Sequence, residues 1–135
     1  MAREEVVRRW LEHVHEDVST AEDLVKTGHY LYVGFLCHQA LEKVLKAYYS
    51  ANNDDDPPYT HSHMKLIDVC GLTNEFSAEH LRFIDLMVPM YIEARYPEQK
   101  NIAAKMLSQD ACLHIINTTK ELIQWIEERL PSTKP

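Results

Sequence analysis

The stretch YLYVGFLCHQALEKVLKAYYSA, residues 30–51, decides the fold. Its apolar residues recur at intervals of three and four, which is the period of an α-helix. At about 100° per residue these positions cover almost half of the helix circumference. They are Val33, Leu36, Cys37, Ala40, Leu41, Val44, Ala47 and Tyr48. So wide an apolar face predicts a central helix that packs against several neighbours.

The segments on either side of this helix predict its first neighbours. Upstream, apolar residues follow the same period over residues 3–26, and Gly28 can end that helix in a left-handed conformation. Downstream, the run NNDDDPP at residues 52–58 combines helix-breaking and like-charged residues, which predicts an exposed loop. A short helix over about residues 62–70, ended by Gly71, is expected after the loop.

Two more helices complete the predicted chain. Ser77 has the character of an N-cap residue, and the helix that it starts is expected to be kinked or loosened at Pro89. Its predicted inner face consists of Leu81, Ile84, Val88, Tyr91 and Ile92. A last helix is predicted from about Glu98 to Leu130, with an inner face of Ile102, Met106, Leu113, Ile116, Leu122, Ile123 and Ile126. Residues 131–135, PSTKP, are expected to be disordered.

These elements predict one all-α domain over residues 1–130, an antiparallel up-and-down bundle of four long helices and one short helix. The chain of 135 residues is about the size of a single domain and shows no internal repeat or strand-like alternation. Hydrophobic residues make up 45% of it, enough for a core, and 3 glycines and 6 prolines leave few turns for a many-stranded protein.

Charge and apolar content exclude several classes of function. The formal net charge of -7 repels phosphate backbones and acidic membranes, so generic nucleic-acid coating is not expected. No segment approaches the roughly 18 uninterrupted apolar residues of a membrane span. The three cysteines, Cys37, Cys70 and Cys112, lack CxxC spacing and are typical of reduced core thiols, with a structural zinc site less favoured. We therefore expect a cytoplasmic protein without a cofactor or membrane contact.

Polar residues on the central helix are the first candidates for binding. Gln39, Glu42, Lys43 and Lys46 are three, four and seven residues apart and therefore share a face. One interpretation is an ordinary solvated stripe of helix-stabilising charge pairs. The other is a polar groove in which Lys43 and Lys46 bind phosphate as point charges.

His61 and His63 stand together before the short helix, close in sequence to three aspartates at residues 54–56. Two histidines with carboxylates could ligate a metal, but no third ligand is fixed by spacing, and we predict no metal site. One histidine can instead pack at the start of the helix, or hydrogen-bond to a ligand.

Arg95 and Tyr96 come immediately before Pro97. The helical register predicts that Arg95 points along the buried side, where a guanidinium needs a carboxylate, a carbonyl or an anionic ligand. Its planar donor fork suits phosphate, and Tyr96 could stack on a base. The alternative is a surface arginine that contacts the last carbonyls of its helix.

Together these stretches resemble the HEPN domain (higher eukaryotes and prokaryotes nucleotide-binding). The resemblance covers nearly the whole chain. It is carried by EDVSTAEDLVKTGHY at residues 16–30, FLCHQALEKVLKAYY at 35–49, THSHMKL at 60–66 and YIEARYP at 91–97. The second of these is similar to the family's "QAxEKxLKA" helix, and the last to its "RYP" hallmark.

The resemblance implies a helical bundle, often dimeric, that binds nucleotides or RNA or acts beside a nucleotidyltransferase. Some members are metal-independent ribonucleases and toxins that use an arginine followed, after four to six residues, by a histidine. Here Lys100, Asn101 and Ile102 stand at those distances from Arg95, so the histidine is missing.

We therefore predict a non-catalytic domain, with no catalytic residues, that forms a homodimer and binds a nucleotide, RNA or a nucleotidyltransferase partner. Its predicted site residues are Gln39, Lys43, Lys46, His61, His63, Arg95 and Tyr96. The alternatives are a ribonuclease toxin that uses His61, His63 or a dimer-related histidine for acid-base chemistry, and a module that binds only protein.

Overall fold

A computed structural model of the chain describes residues 3–96, 105 and 107–131. These residues form helices and no strands, so the all-α prediction is confirmed. The helices of this described part are α1 (Arg3–Thr27), α2 (Tyr30–Asn52), α3 (His63–Val69), α4 (Ala78–Leu86), α5 (Val88–Arg95) and α6 (Gln109–Glu127). None of these helices has the length and apolar character needed to cross a bilayer.

The helix α2 is central, as its wide apolar face predicts, and contacts α1, α3, α5 and α6. The turn between α1 and α2 is only two residues long. Gly28 adopts a left-handed φ of +79°, and the backbone N–H groups of Gly28 and His29 donate to the last carbonyls of α1. A Cβ group disfavours this conformation, which explains the glycine. The two longest helices therefore pack as an antiparallel pair.

Side-chain caps mark the beginning of α3 and of α4 where the sequence predicts, and a second glycine follows the end of α3. The hydroxyl groups of Ser62 and Ser77 accept hydrogen bonds from the third backbone N–H of α3 and α4, respectively. Gly71 follows α3 with a φ of +74°. The three aspartates at residues 54–56 are exposed, as expected of the loop between α2 and α3.

The predicted fourth helix is in fact two helices, α4 and α5, which are separated at Met87. Pro89 lies in the first turn of α5, where its missing N–H costs nothing. In α5 the predicted inner face is wrong at Val88 and Ile92, which are each 38% exposed, whereas Tyr91 is partly buried as predicted. Met87 and Met90 are buried instead.

This change of face also corrects the prediction for Arg95. Because α5 turns Met87 and Met90 towards the core, Arg95 does not lie on the buried side, and it is exposed. The predicted last helix differs too. Leu107 and Ser108 are not helical, and the hydroxyl of Ser108 caps α6 by accepting a hydrogen bond from the Ala111 N–H.

The buried face of α6 consists of Cys112, Ile115, Ile116, Thr119, Leu122, Ile123 and Ile126. Leu113, which was expected on this face, is 44% exposed. Ile102, Met106 and most of the predicted tail lie outside the described residues. The three cysteines are free thiols, and burial raises the pKa of Cys37 to about 12.

The position of α5 on α2 depends on a close approach at Gly34. A Cβ atom at this position would overlap the Met90 sulfur and would lie 3.0 Å from both Cβ and Cγ of Met90. Met90 is itself only 4% exposed, so its side chain has little room to move away. The glycine therefore lets α5 approach the middle of α2.

We expect Gly34→Ala to lower the free energy of unfolding by about 1–3 kcal/mol, because overpacking outweighs the roughly 1 kcal/mol gain in helix propensity. Urea denaturation followed by circular dichroism measures this. In a Met90→Ala background, which removes the overlapping atoms, the same substitution should be neutral or stabilising. An equal loss in both backgrounds would show that the Met90 contact is not the cause.

Candidate functional site

A cavity of about 230 Å³ opens between the start of α3 and the helices α4 and α5. We call it the histidine pocket; its lining is His38, His61, Ser62, His63, Met64, Ile84, Asp85, Val88, Tyr91 and Ile92. Ligand sites for whole small molecules usually measure about 300–1,000 Å³. The histidine pocket is therefore of a size for part of a ligand, such as one base.

His38 and His63 form the buried side of the pocket. Each residue is 2% exposed, and the centroids of the two rings are 4.0 Å apart. Nε2 of His63 donates a hydrogen bond to the backbone carbonyl oxygen of His38 at 2.8 Å. Within the described chain, Nδ1 of His38 and Nδ1 of His63 have no hydrogen-bond partner. Buried polar atoms are rarely left in this state, which makes the pocket a candidate site.

Burial keeps both rings neutral. Loss of solvation, with smaller contributions from His63 and His61, lowers the pKa of His38 to about 2. Burial also lowers the pKa of His63, although the His38 carbonyl and the Glu42 carboxylate act in the opposite direction. The inner side of the pocket is therefore polar but uncharged at neutral pH.

Glu42 joins the pocket to the buried part of α2. Its Oε1 lies 3.0 Å from Nδ1 of His61, and its Oε2 accepts a hydrogen bond from the Lys46 ammonium at 3.0 Å. Glu42 is 5% exposed and Lys46 8%, and the ammonium also lies 5.7 Å from the centroid of the Trp10 ring. Each buried charge depends on the other, since a single charge there would be strongly destabilising.

The polar stripe of α2 is therefore not a solvated face, because α1 packs over part of it. Nζ of Lys43 lies 2.8 Å from a carboxylate oxygen of Asp17 in α1, and both side chains are largely buried. Gln39 is partly buried, and its Oε1 has no partner among the described residues. Neither Lys43 nor Gln39 lines the histidine pocket.

Tyr91 connects the pocket to Arg95. The centroid of its ring lies 4.5 Å from that of His38 and 5.3 Å from that of His61. The Arg95 guanidinium carbon lies 5.5 Å from the same Tyr91 centroid, within the range of a cation–π contact. Tyr96 follows at the end of α5 and is 47% exposed.

The predicted site residues thus divide into two groups. His61 and His63 line the pocket, Arg95 and Tyr96 lie beside Tyr91, and Lys46 reaches His61 through Glu42. Gln39 and Lys43 lie elsewhere. The sequence interpretation did not select His38, the largest omission. Its spacing of four residues from Glu42 was the available signal, since it puts both side chains on one face of α2.

A larger groove of about 1080 Å³ follows the outer face of α1 and reaches Leu130. Its lining combines charged residues with five apolar ones, and Arg8 forms ion pairs with Glu5 and Glu12. Such pairs are ordinary on an exposed helix and do not indicate a ligand. Within the described residues, no three histidine, cysteine, aspartate or glutamate side chains are grouped closely enough to hold a metal ion.

Comparison with known proteins gives a matching family and similar solved structures. The family model described as HEPN domain matches residues 7–129. The crystal structure of TT1696 from Thermus thermophilus has a TM-score of 0.77 and 21% sequence identity, and the match covers 92% of this chain and 98% of that one. ST0689, an archaeal HEPN homologue, has a TM-score of 0.73 and 22% identity over 97% of this chain and 100% of that one. A search of curated proteins finds no match.

The neutral buried histidines make stability depend on pH. An unfolded histidine takes up a proton as the pH falls below 6.5, whereas folded His38 stays neutral to about pH 2. The unfolded state then binds more protons, so we expect His38 to cost about 2 kcal/mol of stability between pH 7 and pH 5, and His63 to act in the same direction. Urea denaturation at the two pH values measures this loss.

His38→Phe keeps an aromatic ring in place. Between pH 7 and pH 5 it should lose about 2 kcal/mol less stability than the wild type does. His114→Gln, at an exposed position of α6, should behave as the wild type. An unchanged pH dependence in His38→Phe would contradict a neutral buried His38.

Proposed function

The chain belongs to the HEPN domain family, as its motifs predict, and on that basis we propose that it binds a nucleotide, free or at the end of an RNA, without cleaving it. The histidine pocket and the adjacent Arg95 are the proposed site. The observation that carries this proposal is the contact between the Arg95 guanidinium and Tyr91. It means that a cation lies beside a pocket of a size for one base.

The residues of the proposed site have different tasks. Arg95 is exposed, and its fork of donors suits two oxygens of one phosphate. Tyr96 is 47% exposed and can stack on a base or shape the entrance. His61, whose side chain is 37% exposed, hydrogen-bonds to the ligand. Lys43 and Lys46 are left out of this site, because each ammonium already faces a carboxylate.

The absence of cleavage is proposed from the histidines. Ribonucleases of this family need a histidine shortly after the arginine, and this chain has Lys100, Asn101 and Ile102 there. His63 is a poor substitute, because it is 2% exposed and its Nε2 is bonded to a backbone carbonyl. His61 is the better placed of the two predicted histidines for acid-base chemistry, which makes it the one to test.

Replacing Arg95 by alanine is expected to weaken binding of a nucleoside monophosphate or short RNA at least tenfold, or about 1.4 kcal/mol. Isothermal titration calorimetry measures the affinity. The matched control is Arg129→Ala, because Arg129 also stacks on an aromatic ring, 3.6 Å from the Trp125 centroid, but lies at the end of α6. The control should bind as the wild type does.

Two results would contradict the proposal. One is the absence of binding for every nucleotide and RNA tested, since a ligand at 100 times its dissociation constant stabilises a protein by about 2.7 kcal/mol, a shift that thermal unfolding detects easily. The other is cleavage of RNA by the wild type that is lost in His61→Ala. That outcome would favour the ribonuclease instead.

The homodimer and the nucleotidyltransferase partner are further parts of the proposal. Met64, Val88 and Ile92 line the histidine pocket and are 45%, 38% and 38% exposed. Adjacent exposed apolar side chains of this kind are typical of a surface that another protein covers. We propose that a second copy of the chain does so, with the nucleotidyltransferase binding to the dimer.

The dimer can be tested at Met64, Val88 and Ile92, which we call the apolar rim. Ile92→Glu is expected to convert the dimer into a monomer, because the new charge would have to be desolvated in the interface. Sedimentation equilibrium gives the mass. Leu113→Glu is the matched control, since Leu113 is 44% exposed on α6, and it should stay dimeric. A monomeric wild type would rule out the homodimer and leave the rim for a partner protein.

A further inference from the structure

We propose that the histidine pocket is a hydrogen-bond acceptor site that takes the amino edge of a nucleobase, so that the chain prefers cytosine and adenine nucleotides to their oxo counterparts. This inference rests on the proposed function and deepens it, because it names the part of the nucleotide that enters the pocket. It follows from the hydrogen bonds that already fix two histidine rings.

The first of these rings is His63. Its Nε2 faces the carbonyl oxygen of His38 at 2.8 Å. A carbonyl oxygen has no proton to give, so Nε2 carries the hydrogen and donates it. A neutral imidazole carries only one N–H, and burial keeps His63 neutral. Nδ1 of His63 is therefore a lone-pair acceptor, and no donor from the described residues reaches it.

The second ring is His61. Its Nδ1 lies 3.0 Å from Oε1 of Glu42, and the Lys46 ammonium donates to the other oxygen of that carboxylate. A carboxylate beside an ammonium can only accept, so Nδ1 of His61 carries the hydrogen. When that ring carries a single hydrogen, its Nε2 is also an acceptor. Glu42 is thus a positioning residue that sets the tautomer of His61.

Of the remaining polar lining, Asp85 has the same preference, whereas the hydroxyl groups of Ser62 and Tyr91 can donate or accept. Asp85 lines the pocket with an acidic side chain, while no lysine or arginine of the described chain does. A phosphate group brings only acceptors and negative charge, so it would face acceptors without a cation. Arg95, beyond Tyr91, is the suitable partner for the phosphate.

A base with an exocyclic amino group matches this arrangement. The amino group offers two N–H donors, and the flat ring suits a cavity of about 230 Å³ beside Tyr91 and the histidine rings. An oxo group at the same position is an acceptor and cannot bond to the acceptors of the pocket. The oxo group and the histidine nitrogens would then lose their hydrogen bonds to water without compensation. An ammonium group from a protein is less suitable, because the buried histidines that would receive it are neutral.

The test compares two pairs of ligands that differ at this edge, cytidine with uridine 5′-monophosphate and adenosine with inosine 5′-monophosphate. In each pair an oxo group replaces the amino group, and the neighbouring ring nitrogen carries a hydrogen in the oxo member. Titration calorimetry at pH 8, above the ordinary titration range of histidine, gives the four affinities. We expect the amino member of each pair to bind about tenfold more tightly or better. His61→Phe should reduce this ratio, and His114→Phe on α6 should not.

A second measurement needs no ligand. Nitrogen-15 NMR of labelled histidine should show His63 with its proton on Nε2 and His61 with its proton on Nδ1. The opposite tautomer at either residue would overturn the inference. Glu42→Gln, whose amide can offer either a donor or an acceptor, should release the His61 tautomer without changing that of His63.

The outcomes separate the two levels of the argument. Equal affinities within both pairs, with binding still dependent on Arg95, would overturn the acceptor site and leave the proposed function standing. Failure of all four nucleotides to bind the wild type would overturn both. A preference for the amino bases that is lost in His61→Phe would support both.

Discussion

The burial of α2 on several sides is the constraint on which the rest of the structure depends. A helix that contacts α1, α3, α5 and α6 has little solvated face left for its polar residues. His38, Glu42 and Lys46 are consequently buried with it. Taking charged groups out of water is costly unless they find partners, so Glu42 and Lys46 pair with each other inside the protein, whereas Nδ1 of His38 has no partner among the described residues.

The pairing explains how a structural helix can also shape a site. Lys46 is the counter-ion of Glu42. Glu42 in turn forms a hydrogen bond with the ring of His61, two residues before α3. His63 is fixed in turn by the backbone of His38. Contacts with α2 therefore orient both histidines, although His61 belongs to the loop that precedes α3. Preorganisation of this kind lowers the cost of binding.

Features with local causes could be predicted from the sequence, whereas those that depend on tertiary contacts could not. The left-handed turn at Gly28 needs only neighbouring residues. The face of α5 depends on the approach of Met90 to Gly34, which are far apart in the chain, so the inward position expected for Arg95 was wrong. The candidate site has the same limit. His38 was not selected, because only the loop after α2 brings the start of α3 back to it, and periodicity cannot identify such a contact.

The separation of charge around the histidine pocket limits the ligands that can satisfy it. Its buried part is neutral and rich in acceptors, while the Arg95 cation lies beyond Tyr91. A simple phosphate would use only the cation, and an amine would use only the acceptors. A nucleotide carries a donor-bearing ring and an anion a few bonds apart, so it can satisfy both parts at once. Under the proposed function, the net charge of -7 would add to this selectivity, because a polyanion without a fitting base gains too little at one arginine to offset the general repulsion.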